Sequence, residues 1–121
     1  MKVFILEDDA RRMKTFRRKL HRHTIYHADN VADAKKILEE TEGIEVLLLD
    51  HDLDNSIYVP SNHDNTGYQL AKYIRDSGKQ YIQIIIHSMN IVGAQNMRDT
   101  LMEVTPNLRV IPFPQLILGM E

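Results

Sequence analysis

The sequence predicts an α/β domain built on a parallel sheet, and three observations predict it. Short apolar runs alternate with segments of helical period along the chain, the pattern of strand–helix–strand units that pair in parallel. The run at residues 46–49 is apolar on both faces, as a central strand covered from two sides must be. Three runs end in polar clusters, Glu7-Asp8-Asp9, Asp50-His51-Asp52 and His87-Ser88. In a parallel sheet all three lie on one edge, at the carboxyl ends of the strands where ligands bind.

The elements follow in order. Residues 3–6 read as the first strand. A helix is expected from Ala10 to about His21, because Met13, Phe16 and Leu20 recur at the spacing of one helical face. Residues 24–27 form a short second strand. Val31, Ala34, Ile37 and Leu38 make a second helical stripe over 31–40, capped by Asp29 or Asn30. Residues 46–49 are the third strand. Residues 54–65, polar, aperiodic and containing Pro60, read as a long loop. A third helix starts at Thr66, buries Leu70, Ala71 and Ile74, and stops near Gly78. Residues 82–86 form the fourth strand, and 91–103 a fourth helix with Ala94, Met97 and Leu101 inward and Pro106 beyond it. Residues 108–111 form the fifth strand. The tail from Pro112 reads either as a clipped last helix or as an apolar flap.

Bulk properties bound the function. The 121 residues suit one domain over 1–121 with a single core, and 43% hydrophobic with 26% charged residues is an ordinary soluble composition. Without cysteine there is neither a disulfide framework nor a thiolate metal site. The apolar start is too short for a signal peptide or a membrane span, so the expected compartment is the cytoplasm, with no membrane partner. A net charge of −2 gives no global pull toward nucleic acid. Helix one is strongly basic, carrying Arg11, Arg12, Lys14, Arg17, Arg18, Lys19 and Arg22. Without interleaved aromatics it reads first as a solvated face.

The chemistry sits on the polar edge. Carboxylates from neighbouring strands, spaced ~4.8 Å apart, either share a proton or call for a cation. An all-oxygen set favours a hard divalent ion such as Mg²⁺. Asp8 and Asp50 are the expected direct ligands, Glu7 a ligand directly or through water, and the backbone carbonyl of Asp52 a further one. Asp9 stands where a helix cap belongs. His51 and His87 flank this site, and imidazole suits proton transfer near neutral pH. His63 sits in the long loop, while His21, His23 and His27 read as surface or edge residues. Ser88 and Asn90 open helix four, where backbone N–H groups favour a phosphate. Arg12, or Arg11, is placed to reach the same phosphate.

The motifs FILEDD, LLLDHDL and DNTG, followed by a polar exit from strand four, resemble the receiver domain of bacterial response regulators over nearly the whole chain. The resemblance implies a three-layer, flavodoxin-like fold with strand order 2-1-3-4-5 and a last helix that is short or absent. It also implies that Glu7, Asp8 and Asp50 bind Mg²⁺ and that Asp50 accepts a phosphoryl group. Two departures stand out. His87 replaces the hydroxyl residue that ends strand four, and the lysine expected before the proline after strand five is absent, for no lysine follows Lys79. With LDHDL, NTG and HSMNIVGAQNM, the chain resembles the variant group of cyclic-phosphate processing receiver domains.

That resemblance implies a site, loaded with Mg²⁺ or Mn²⁺, that acts on a cyclic phosphate of a nucleotide or an RNA end. His87 is the expected base, His51 the expected acid, and Asp50 a possible nucleophile. Two alternatives stay open: a signalling receiver phosphorylated on Asp50, and a module that binds a cyclic phosphate without cleaving it.

Overall fold

In the computed structural model, residues 1–53 and 57–120 are described. Asp54, Asn55 and Ser56, at the start of the expected loop, and Glu121 lie outside them. The strands are β1 (Lys2–Leu6), β2 (Thr24–Ala28), β3 (Ile44–Leu49), β4 (Gln83–Ile86) and β5 (Leu108–Val110). The helices are α1 (Ala10–Lys19), α2 (Val31–Glu40), α3 (Gly67–Ser77), α4 (Ile91–Leu101) and α5 (Phe113–Leu118). The strands form one sheet in the order β2-β1-β3-β4-β5, and every pairing is parallel. This is the three-layer, flavodoxin-like arrangement that the resemblance to receiver domains implies.

Alternation along the strands splits the core in two. Phe4, Leu6, Leu47, Leu49, Ile84 and Ile86 point to one face, where they meet Leu38, Leu70, Ile74 and Met97 of α2, α3 and α4. Val3, Ile5, Leu48 and Ile85 point to the other, where Met13 and Phe16 of α1 and Leu116 of α5 cover them. A strand with side chains buried on both faces gains from each, at about 25 cal/mol per Å² of apolar surface. That is why β1, β3 and β4 read as continuous apolar runs.

Local chemistry sets the helix ends. Asp9 caps α1 by accepting from the N–H groups of Arg11 (2.9 Å) and Arg12 (3.1 Å). Of the two residues offered for α2, Asn30 is the cap, accepting from Asp33 N–H at 2.9 Å. Gly78 ends α3 in the left-handed conformation, φ 73°, which costs glycine little. The tail folds as a short helix rather than a flap. Its last buried anchor is Leu116.

Candidate active site

The three polar exits meet at the carboxyl edge of the sheet, beside a cavity of about 200 Å³. Its walls include Asp8, Arg12, Asp50, Asp52, Ser88 and Tyr58. Register explains the meeting. Leu6 pairs with Leu49 and Leu49 with Ile86, so Glu7, Asp50 and His87 follow paired residues on three adjacent strands. One potential ligand atom from each of Glu7, Asp8 and Asp50 lies within 4.8 Å of the others.

The electrostatics of this cluster follow from burial. Glu7 is fully buried. Its carboxyl is pushed up to about 8, first by loss of water and then by Asp50, against the pull of the Asp9 N–H and Arg12. Burial also lifts Asp50, to about 6, against the His51 N–H and Arg12. Near neutral pH the pair therefore holds a proton. Arg12 faces both acids, its Nη1 3.8 Å from Glu7 Oε1 and 3.8 Å from Asp50 Oδ2. Its guanidinium also lies over the Phe113 ring, 5.7 Å from the centroid. The three acids are oxygen donors only, and Glu7 Oε1 is buried without a hydrogen bond among the described residues. Such a set fits a hard divalent cation.

The two histidines lie behind this surface rather than on it. His87 is fully buried and packs edge-on against Phe16, with ring centroids 5.2 Å apart. Neither ring nitrogen has a hydrogen-bond partner among the described residues. Glu7 Oε1 is 3.7 Å from Nδ1. Burial, helped by Arg12, drives its pKa down to about 3 and keeps the ring neutral.

His51 is fully buried too, with both nitrogens engaged. Its Nδ1 donates to Asp52 Oδ1 at 2.8 Å, and its Nε2 meets Ser61 Oγ at 2.9 Å. Ser61 in turn accepts from Asn96 Nδ2 at 2.9 Å.

This chain of bonds organises Asp52, whose side chain gathers the loop. It accepts from the N–H groups of Tyr58 (2.6 Å) and Val59 (3.2 Å) and from Asn90 Nδ2 (3.0 Å). Burial opposes ionisation of Asp52, but the bonds from His51, Asn90 and Tyr58 outweigh it and lower the pKa. Tyr58 adopts φ 55°, unusual for a bulky residue, and its bond to Asp52 holds it there.

Asn90 is similarly occupied. Its Oδ1 caps α4 through Gly93 N–H at 2.9 Å, and its amide donates to Asp52 and to Val59 O. Ser88 Oγ accepts from Asn90 N–H at 3.0 Å and keeps its own proton for another partner. His27, expected at the surface or a sheet edge, lies on the edge strand β2, half-buried, and bonds Glu7 O through Nε2 at 2.7 Å. His63 lies in the loop, where its Nδ1 accepts from Asn65 N–H at 3.3 Å.

Two glycines were not singled out by sequence reasoning. A Cβ on Gly67 would come 1.9 Å from Asp50 O, and one on Gly93 2.5 Å from the His51 ring. Both lie in the quoted strings NTG and NIVG, so their signal was visible although its geometric reason was not. Ser61 carried no signal at all.

The sequence model of the cyclic-phosphate processing receiver domain matches residues 1–103. The chain belongs to that family. Among solved structures it is similar to the receiver domain of the Francisella response regulator 1452, at 16% identity and TM-score 0.67, covering 98% of this chain and 92% of that one. It is also similar to the N-terminal domain of a response regulator/sensory box/GGDEF protein from Carboxydothermus hydrogenoformans, at 16% identity and TM-score 0.66, covering 98% and 89%. A third likeness is to the Mn²⁺-bound form of response regulator Rcp1, at 13% identity and TM-score 0.64, covering 99% and 91%. At these identities the likenesses show the fold. No curated protein matches the chain.

In this cyclic-phosphate processing receiver domain the position of the absent lysine is apolar. Ile111 precedes Pro112 and packs into the α1/α5 side of the core. The cation facing Glu7 and Asp50 comes from α1 instead, as Arg12. No helix among the described residues is long and apolar enough to cross a membrane.

Proposed function

We propose that this pocket holds Mg²⁺ or Mn²⁺ and opens a cyclic phosphate of a nucleotide or an RNA end. The observation that carries the reading is the convergence of Glu7, Asp8 and Asp50 within 4.8 Å, faced by the Arg12 guanidinium. The three carboxylates would hold the ion, with the Asp52 carbonyl as a further candidate. The ion would neutralise them and polarise a phosphate oxygen. The Mn²⁺-bound state of Rcp1, which shares the fold, supports the choice of cation.

The chain's own groups divide the remaining work. Arg12 binds a phosphate oxygen, and the Ser88 hydroxyl donates to another. Asn90 serves by fixing the start of α4 and the loop, because its side-chain atoms are already bonded. Hydrolysis adds a water oxygen to phosphorus, breaks one ring P–O bond, removes a proton from the water and returns one to the leaving oxygen. That first proton would pass to a wall carboxylate; Asp8, Asp9, Asp50 and Asp52 all line the cavity. Water at the pocket mouth supplies the second. Direct attack by Asp50 Oδ2, giving a transient acyl phosphate, is a variant of the same geometry.

Proton transfer thereby moves off the histidines. His51 orients Asp52, and His87 is a neutral wall behind Glu7. The absent lysine counts against Asp50 phosphorylation as a signalling switch.

Purified protein incubated with Mg²⁺ or Mn²⁺ and a panel of 2′,3′- and 3′,5′-cyclic nucleotides tests the reading. Ring opening that needs the ion and is lost in Asp8→Asn and Asp50→Asn is the expected result. Tight binding with the ligand unchanged would make the chain a binding module. A stable Asp50 adduct from a small phosphodonor, without ring opening, would make it a signalling receiver.

A further inference from the structure

α1 starts at the pocket mouth and carries a concentration of positive charge that the pocket does not use. Seven of the 15 Lys and Arg residues fall between residues 11 and 22, and no Asp or Glu occurs from residue 10 to residue 28. The chain as a whole is slightly acidic, at −2, so this charge is segregated rather than a reflection of composition. Of the seven, Arg12 makes the ion pairs found among the described residues.

Arg11, Lys14 and Arg18 are exposed and spaced i, i+3 and i+7. They share the helix face opposite Met13 and Phe16, which are buried on the sheet. Arg22 is exposed in the turn beyond α1 and adds a fourth cation near its end. From Arg11 to Arg18 the stripe spans ~10 Å at 1.5 Å per residue. It leads away from Asp9 and Arg12, which both line the cavity.

We infer that this stripe holds the phosphate backbone of a single RNA strand whose 3′ end enters the pocket. The inference rests on the proposed function and narrows its substrate class. A mononucleoside cyclic phosphate carries one negative charge, which Arg12 and the site already answer. The exposed Arg11, Lys14, Arg18 and Arg22 suit a ligand with several phosphates in a row. A 2′,3′-cyclic phosphate requires a ribose 2′-oxygen, so the strand is RNA. Exposed Tyr58, Ile57 and Met89 stand at the pocket rim, where the terminal base would lie against them. An anionic membrane is the weaker occupant, because the apolar face of α1 is buried on the sheet and unavailable to lipid.

The test compares the wild type with the triple variant Lys14→Gln, Arg18→Gln, Arg22→Gln, and with a charge-keeping Lys14→Arg, Arg18→Lys, Arg22→Lys control. Thermal melting establishes that all three are folded. The probes are a short single-stranded RNA ending in a 2′,3′-cyclic phosphate, the same strand ending in a hydroxyl, a mononucleoside 2′,3′-cyclic phosphate, and phosphatidylserine vesicles. At ~0.7 per neutralised phosphate on a single strand, the Gln variant should lower the slope of log affinity against log salt by about 2. The charge-keeping control should restore it, and mononucleotide ring opening should stay unchanged. Equal RNA affinity and slope in wild type and Gln variant would overturn the inference, as would stripe-dependent binding to vesicles alone. Stripe-dependent RNA binding with no opening of any cyclic phosphate would uphold the strand surface and remove the proposed function instead.

Discussion

Gly93 lies against the face of His51, so close that a Cβ would sit 2.5 Å from the imidazole. The contact lets α4 press the ring toward Asp52, which in turn holds Tyr58, Val59 and Asn90. A glycine on one helix thus sets the shape of the opposite pocket wall.

Gly93→Ala should therefore destabilise the protein by about 1–3 kcal/mol, the usual cost of overpacking a full core. Urea unfolding measures this directly. Because the displaced ring loosens Asp52, KM for a cyclic phosphate should rise more than kcat falls. An unchanged midpoint would show that His51 can move aside freely.

The His87 ring makes no hydrogen bond among the described residues and sits among Phe16, Phe113 and Glu7. His87→Leu removes two buried polar nitrogens and keeps much of the volume. Its effect on stability should stay within about 1.5 kcal/mol. The pH–rate profile should keep its shape, since the ring, driven down to about 3, does not titrate near neutrality. A hundredfold loss of kcat in a folded variant would return the ring to the chemistry.

Arg12 is the cation placed against both buried acids. Arg12→Gln should lower kcat/KM for a cyclic phosphate by roughly 10–100-fold, the loss of one charged hydrogen bond to the phosphate. It should also raise the Glu7 pKa further, because the guanidinium now pulls that value down. Carboxyl infrared titration follows this second effect without any turnover.

The metal-free protein should lose stability as pH rises. Glu7 goes from an ordinary 4.5 to about 8 on folding, and Asp50 from 3.8 to about 6. A group with a raised folded pKa holds its proton more tightly in the native state. Its contribution is complete below the unfolded value and is lost as pH climbs through the folded one. Thermal midpoints should therefore fall between pH 5 and 8, and saturating Mg²⁺ or Mn²⁺ should remove most of the fall by replacing the proton. Flat midpoints without metal would mean that folding does not raise the pKa of either acid.

Much of the fold was legible because period and burial are local signals. Residues 31–40 match α2 at both ends, and the apolar triplets of β3 and β4 mark strands covered on both faces. Boundaries slipped where a cap decided them. α1 ends at Lys19 and α4 at Leu101, short of the expected His21 and Glu103. The start of β3 at Ile44, rather than Val46, depends on pairing with β1 that no local pattern contains. The acids of the site were legible for a related reason: paired strands of similar length must end together, so Glu7, Asp8 and Asp50 had to meet.

By itself the sequence determined the layered α/β fold, the edge on which polar groups collect, and the acids that converge there, because strand period and parallel pairing leave few other arrangements. Only the tertiary structure decided that His51 and His87 lie beneath the pocket surface, and that Ser61, Gly67 and Gly93 support the site. Which side of a loop or strand end a ring turns to is settled by long-range packing, here α4 against the β3 exit and Phe16 against β4. No spacing along the chain encodes that choice.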